Sequence, residues 1–273
     1  MNPLLEKYPN HLQVDAGGWA EPRQDRTLVG SKLLLEGLGK LGLDFANVSG
    51  RDLLVGSETM QRLRDSTGVE LLSANIKVSG EAYFTNHAIV EREIQGKTVR
   101  IGITGVTLKS RAAAESWQGG TLSFEDPMQS ARQAAEVMTP QTDLRILLAH
   151  MQVSDLETFV EEFPDAYQII VSSNGDLRSS TPLGALPVVV APGTSGKQLA
   201  WLNLLRTPTA VEVSAGNTLN LDEKIRDDPK TALFVSDYIQ EMRNYLRGRQ
   251  PSSTSSNPSP EKAASLAESS VDN

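Results

Sequence analysis

Residues 144–150 read LRILLAH, and residues 167–176 read YQIIVSSNGD. Each opens as a short apolar run and stops abruptly at polar residues, the first at His150, the second from Ser172. Such runs, bounded by turn residues, predict buried strands over Leu144–Ala149 and Tyr167–Val171. Between them Ser154 can cap a helix over Asp155–Glu162. Strand, helix, strand at this spacing points to an α/β domain. In such domains chemistry gathers in the loops just past the carboxyl ends of strands. His150, Asn174 and Asp176 fall there.

Working outward, the same alternation continues. Leu28–Leu41 carries Leu28, Leu33, Leu34, Leu35, Leu38 and Leu41 at helical spacing. Short strands are predicted at His11–Asp15, Phe45–Val48, Val69–Ile76, Ala88–Glu93 and Thr98–Val106. A helix over Glu58–Arg64 takes Ser57 as its N-cap, and Asp126-Pro127 opens another through Val137. Strands at Pro187–Val190 and Lys197–Leu204 precede a final amphipathic helix over Lys230–Leu246. Hairpin-like late strands imply a partly antiparallel sheet.

Composition narrows the function classes. The 273 residues carry 26 Lys and Arg against 34 Asp and Glu, a formal charge of −8. An acidic chain is a poor general binder of nucleic acid. Without cysteine there is no disulfide, thiolate metal site or cysteine nucleophile, and three histidines leave little for a His-rich centre. No apolar run is long enough for a membrane span, and no signal peptide is visible. As the chain stands this predicts a cytoplasmic protein, or an exported one if the true start lies upstream. Residues 1–248 read as one domain. Residues 249–273, rich in Ser and Pro with Leu266 and Val271 the sizeable apolar residues, read as a disordered tail.

Two glycine motifs carry no function. Gly37, Gly39 and Gly42 match G-x-G-x-x-G, but the motif closes a predicted helix and precedes a strand, the reverse of a dinucleotide site. Residues 191–197, APGTSGK, are too short for a phosphate loop and precede a strand rather than a helix.

Four strand ends read together are more telling: Asp15-Ala16-Gly17-Gly18, Ser49-Gly50-Arg51-Asp52, Ala149-His150-Met151 and Ser173-Asn174-Gly175-Asp176. Their order and spacing resemble the calcineurin-like metallophosphoesterases, specifically the 5′-nucleotidase catalytic domain. There the strands end in D-A-G-D, G-N-H-E, S-H and G-H-x-H, and an earlier one in D-x-H. Residues 70–75, ELLSAN, and 100–106, RIGITGV, resemble further strands of that family, and Leu219–Glu223 with Asp227–Pro229 its closing segment. The resemblance covers about residues 3–247. It implies an α/β two-sheet sandwich flanked by helices, here with the first strand missing, and two divalent metals (Mn, Zn or Mg) activating water on a phosphoester.

The matching positions depart from that pattern. Gly18 stands at the bridging Asp, Gly50 at the Asn, Arg51 at the His and Asp52 at the Glu. His150 matches its His; Asn174 and Asp176 replace the last two. A two-metal site needs a full set of ligands around ions roughly 3.5–4 Å apart. A guanidinium 4 Å from a divalent ion repels it by roughly 8 kcal/mol at an effective dielectric near 20. The weak metal candidates are therefore His150, Asp176 and Asp52, and the catalytic candidates His150 and Asp52. Arg51 and Asn174 are the ligand-binding candidates, since the fork of Arg suits phosphate oxygens. Each has a simpler reading: His150 bonded to a carbonyl, Arg51 and Asp52 paired with each other, Asn174 and Asp176 as turn residues, and Trp19 as packing.

Three functions follow. The first is a degenerate 5′-nucleotidase-like domain without two-metal catalysis, binding an anionic ligand, a phosphate-bearing small molecule, or a protein. The second is an active metal-dependent hydrolase with a reduced site. The third is an interaction domain, pairing with a protein partner or a second copy through the sheet edge that a missing strand exposes. No cofactor is expected in the first and third; a divalent metal serves the second. Neither nucleic acid nor membrane is an expected partner.

Overall fold

The computed structural model describes residues 8–20, 27–174, 186–193 and 195–248. In chain order these form β1 (Val14–Asp15), α1 (Thr27–Lys40), β2 (Phe45–Asn47), α2 (Ser57–Ser66), β3 (Glu70–Leu72), β4 (Ile76–Val78), β5 (Glu81–Ala82), β6 (His87–Ile94) and β7 (Lys97–Thr107). Then come α3 (Arg111–Ser116), β8 (Leu122–Phe124), α4 (Pro127–Met138), β9 (Leu144–His150), α5 (Val153–Glu162), β10 (Ile169–Ser172), β11 (Val188–Val190), β12 (Gln198–Arg206), β13 (Val211–Asn220) and α6 (Pro229–Gly248).

Two sheets set up the site. One is parallel, in the order β1-β2-β3. The other has the order β11-β10-β9-β7-β6, its first four strands parallel and β6 antiparallel to β7. Side-chain alternation explains why they stack. In β9, Leu144, Ile146 and Leu148 join Ile101 and Ile103 of β7 and meet Ala16, Phe45 and Leu72 of the smaller sheet. The alternate residues Leu147 and Ala149 turn outward onto Ala131, Ala134, Ala135 and Met138 of α4 and Phe159 of α5. The outer face of the smaller sheet, with Ala46, Val48 and Leu71, is covered by Leu35 of α1 and Met60 and Leu63 of α2. The result is the expected α/β sandwich: helix, sheet, sheet, helix.

A short antiparallel sheet, β5-β4-β8, and the hairpin β12-β13 complete this unit, which runs to Phe234. A second unit spans residues 235–273 and is helical over its described part, 235–248. The tail expected over 249–273 lies outside the described residues. No described helix is long and apolar enough to cross a membrane.

The structure corrects several local expectations. Ser57 does not cap its helix: Gly56 is the N-cap and no side chain serves. Ser154 likewise lies inside its helix, whose N-cap position is Gln152 with no side-chain capping bond. Asp126 does cap, accepting from the Gln129 N–H at 2.8 Å, with Pro127 first in the helix. The run 69–76 is not one strand. It breaks at Ser73–Asn75 into β3 and β4, which belong to different sheets. Asn75 drives the break: its Nδ2 donates to the Thr107 and Glu125 carbonyls, and its Oδ1 accepts from the Thr107 N–H. β13, absent from the sequence reading, pairs with β12 from Arg206 opposite Val211 to Gln198 opposite Asn220. Its run of Ser, Ala, Gly and Asn hides the alternation. The glycine motif at 37–42 closes α1 and leads to β2, as expected.

Candidate functional site

The apolar filling between the sheets ends, at the carboxyl ends of the strands, in a polar layer. Asn47, the last residue of β2, bridges the sheets by donating from Nδ2 to the carbonyls of Ala16 and Val106, at 3.0 and 2.9 Å. On the larger sheet Thr107 stands opposite His150 in register, and the Ser173 N–H donates to the Ala149 carbonyl just past β10. Thr107, His150 and Ser173 therefore sit at the ends of three adjacent strands. His150 Nδ1 lies 2.6 Å from Ser173 Oγ. Asn47 Oδ1 and the Thr107 hydroxyl are buried in this layer with no hydrogen-bond partner among the described residues.

The smaller sheet supplies two turns facing this row. After β1 the chain reverses through Gly17 and Gly18, whose φ angles of +96° and +88° suit residues without a Cβ. The Gly17 N–H donates to Asp15 Oδ1 at 2.7 Å. Asp15 pairs in register with Ala46, whose side chain lies on the outer face, so its carboxylate belongs to that side. A Cβ on Gly18 would stand 3.9 Å from His150 Cε1, so this turn faces the histidine. After β2 comes the second turn, Ser49–Asp52. Its Gly50 is packed so closely on Ser110 that a Cβ would fall 2.2 Å from the serine Cβ.

Asp52 holds the two turns together. It is 0% exposed, and its carboxylate accepts the N–H groups of Gly18 and Ser49 on Oδ2 and of Ala20 on Oδ1, at 2.9, 2.8 and 2.7 Å. Burial pushes it up to about 6, against the pull of the backbone bonds from Gly18, Ser49 and Ala20. Both oxygens are engaged, so Asp52, a candidate ligand and catalyst by sequence, serves here as a structural clasp. The Arg51–Asp52 ion pair of the simpler reading does not form: Asp52 is turned inward and Arg51 is exposed. Together with burial, the larger cause, the positive charge of Arg51 holds His150 below the ordinary imidazole value.

The remaining candidates separate. Asn174 follows Ser173, with its N–H donating to Ser172 Oγ at 3.1 Å. Asp176 lies outside the described residues. Trp19 is buried in the core against α1 and α2, which is the packing reading. Ser173 and Thr107 were missed by sequence, because the inter-strand register that puts them level with His150 leaves no signal in the chain itself. Among the described residues no group of three His, Cys, Asp or Glu is placed to hold a metal. Among the described residues the side chains do not fit a metal pair: Gly18 and Gly50 offer no side-chain ligand, Arg51 is cationic and Asp52 is engaged by backbone donors.

Solved structures share this architecture. The calcineurin-like phosphoesterase YfkN of Bacillus subtilis superposes with a TM-score of 0.70 at 20% identity, over 89% of this chain and 87% of that one. The fold is that of the calcineurin-like phosphoesterases. A 5′-nucleotidase precursor from Thermus thermophilus gives 0.71 at 18% identity, over 88% of this chain and 51% of its own. The NAD nucleotidase of Haemophilus influenzae gives 0.69 at 15%, over 88% and 59%. The chain thus spans most of the first structure and little more than half of the other two. No family model matches the chain, and no curated protein does.

Proposed function

We propose that this chain binds the phosphate of a small phosphoester at the mouth between the two sheets, through Arg51 and His150, without a metal pair. The observation that carries it is the charge placement. Arg51 is close enough to depress His150, while the carboxylate beside it in sequence, Asp52, is buried among three N–H donors. The mouth therefore carries a permanent cation whose field, with burial, disfavours the charged form of His150. In the tautomer whose Nδ1 accepts from Ser173, Nε2 carries the proton and can donate to a ligand oxygen. Arg–phosphate hydrogen bonds are charge-assisted and can be bidentate. Structures of similar fold are named phosphoesterase and nucleotidase, activities that also concern phosphoesters.

Calorimetric titration with inorganic phosphate and with a nucleoside monophosphate, in chelator at pH 7, tests this. Binding that weakens at least tenfold in Arg51→Ala is expected. No binding to wild type overturns it. Elemental analysis after incubation with manganese and zinc is the counter-test. About one metal per chain, lost in His150→Ala, would instead favour a metal-dependent hydrolase.

A further inference from the structure

We infer that Ser173 is a nucleophile that accepts a phosphoryl group, with His150 as its general base. This rests on the phosphate-binding reading of the same mouth and adds chemistry to it. A serine hydroxyl becomes a useful nucleophile when a base stands within hydrogen-bond reach. Here His150 Nδ1 is 2.6 Å from Ser173 Oγ, whereas the other acceptor near that hydroxyl, the Ala149 carbonyl, is at 3.5 Å. The serine is held in place rather than swinging free. Its own N–H is bonded to Ala149 O at 3.0 Å, and the next N–H to Ser172 Oγ. The base is anchored too, through Leu108 N–H to His150 O at 3.0 Å.

The surroundings suit a neutral base beside an anionic substrate. Burial and Arg51 both disfavour the imidazolium in the free protein, so His150 is ready to accept a proton. A phosphate on Arg51 neutralises that charge and makes the imidazolium tolerable as it forms. In the transfer, an Oγ–P bond forms and the bond from phosphorus to the leaving oxygen breaks. The Oγ proton passes to His150, which then returns it to the leaving oxygen. No metal enters these steps.

A fluorophosphonate probe tests the dyad directly, because its reaction is the same displacement: Oγ–P forms, P–F breaks, fluoride leaves and the proton goes to His150. Intact-mass and peptide analysis should find one adduct on Ser173 of the wild-type chain. Ser173→Ala should remove it, and His150→Gln, which leaves Ser173 untouched, should slow labelling at least tenfold. Circular dichroism checks that both variants are folded. No adduct on wild type, an adduct elsewhere, or unchanged labelling in folded His150→Gln each overturns the inference. Phosphate titration of the same samples separates the two readings. Binding without labelling leaves the phosphate site and removes the nucleophile; labelling without binding does the reverse.

Discussion

The Gly18 N–H donates to Asp52 Oδ2 across 2.9 Å, although the two residues are 34 apart in sequence. Ser49 and Ala20 donate to the same carboxylate. One buried side chain thereby fixes the turn that faces His150 and the turn that carries Arg51. Asp52→Ala leaves three N–H donors without this acceptor. At roughly 1–3 kcal/mol for a buried group left unsatisfied, a loss of at least about 3 kcal/mol is expected in urea unfolding. Asp52→Asn keeps one acceptor oxygen and should lose less.

The same residue sets a pH dependence. Its folded value, about 6, lies above its ordinary value of 3.8. Between these the folded state holds the proton more tightly than the unfolded chain. The contribution to stability is therefore fully present below about 3.8 and is lost as pH rises through about 6. Urea midpoints measured from pH 4 to 7 should show this component falling with pH. In Asp52→Asn, which cannot ionise, it should vanish; an unchanged slope would assign the effect to another group.

How much of this was legible in the sequence depends on the residue. The strands β9 and β10 announced themselves because both their faces are buried, giving unbroken apolar runs that end at polar residues. His150 was visible as the residue at which one run stops. Asp52 was visible as a position but not as a role, because its partners are backbone groups of a distant turn and leave no mark in composition. Ser173 was hidden for a different reason: Ser172 and Ser173 look alike, and only the register of β10 on β9 decides which hydroxyl is level with His150. The β3–β4 break was hidden in a single Asn75 whose partners lie 32 and 50 residues away.

Asn75 is the next test. Its amide spans Thr107 and Glu125, with bonds of 2.7 and 3.0 Å from Nδ2 and 2.9 Å to Oδ1. The residue is 0% exposed. Asn75→Ala should cost roughly 2–4 kcal/mol, since a buried N–H and two carbonyls lose their partner. Because Thr107 is level with His150, hydrogen exchange at the Thr107 amide should accelerate. Unaltered protection there would show that Asn75 does not tether the end of β7.

Arg51 and His150 are coupled through charge, and the coupling can be read without any ligand. Arg51→Ala removes a cause that lowers the His150 value, so that value should rise toward 6.5. It should stop short, because burial remains the larger cause. Arg51→Lys keeps the charge and should move it less. With three histidines in the chain, one-dimensional titration of the imidazole protons by NMR resolves this. An identical His150 curve in wild type and Arg51→Ala would remove Arg51 from the site.

Gly18 offers the sharpest test of the proposed anion site. A Cβ there meets His150 Cε1 at 3.9 Å, an ordinary contact, so space allows a side chain. The backbone resists it: at φ +88° a residue with a Cβ is strained, by roughly 1–3 kcal/mol. Gly18→Asp should therefore fold with reduced stability and place a carboxylate beside the imidazole. Opposite charge favours the imidazolium, so the His150 value should rise. The same carboxylate repels an incoming phosphate, and binding should weaken at least fivefold. Gly18→Ala carries the backbone strain without the charge, and should lower stability while leaving the His150 titration and phosphate affinity near wild type. Should both variants weaken phosphate equally, the turn's conformation rather than its charge would govern the site.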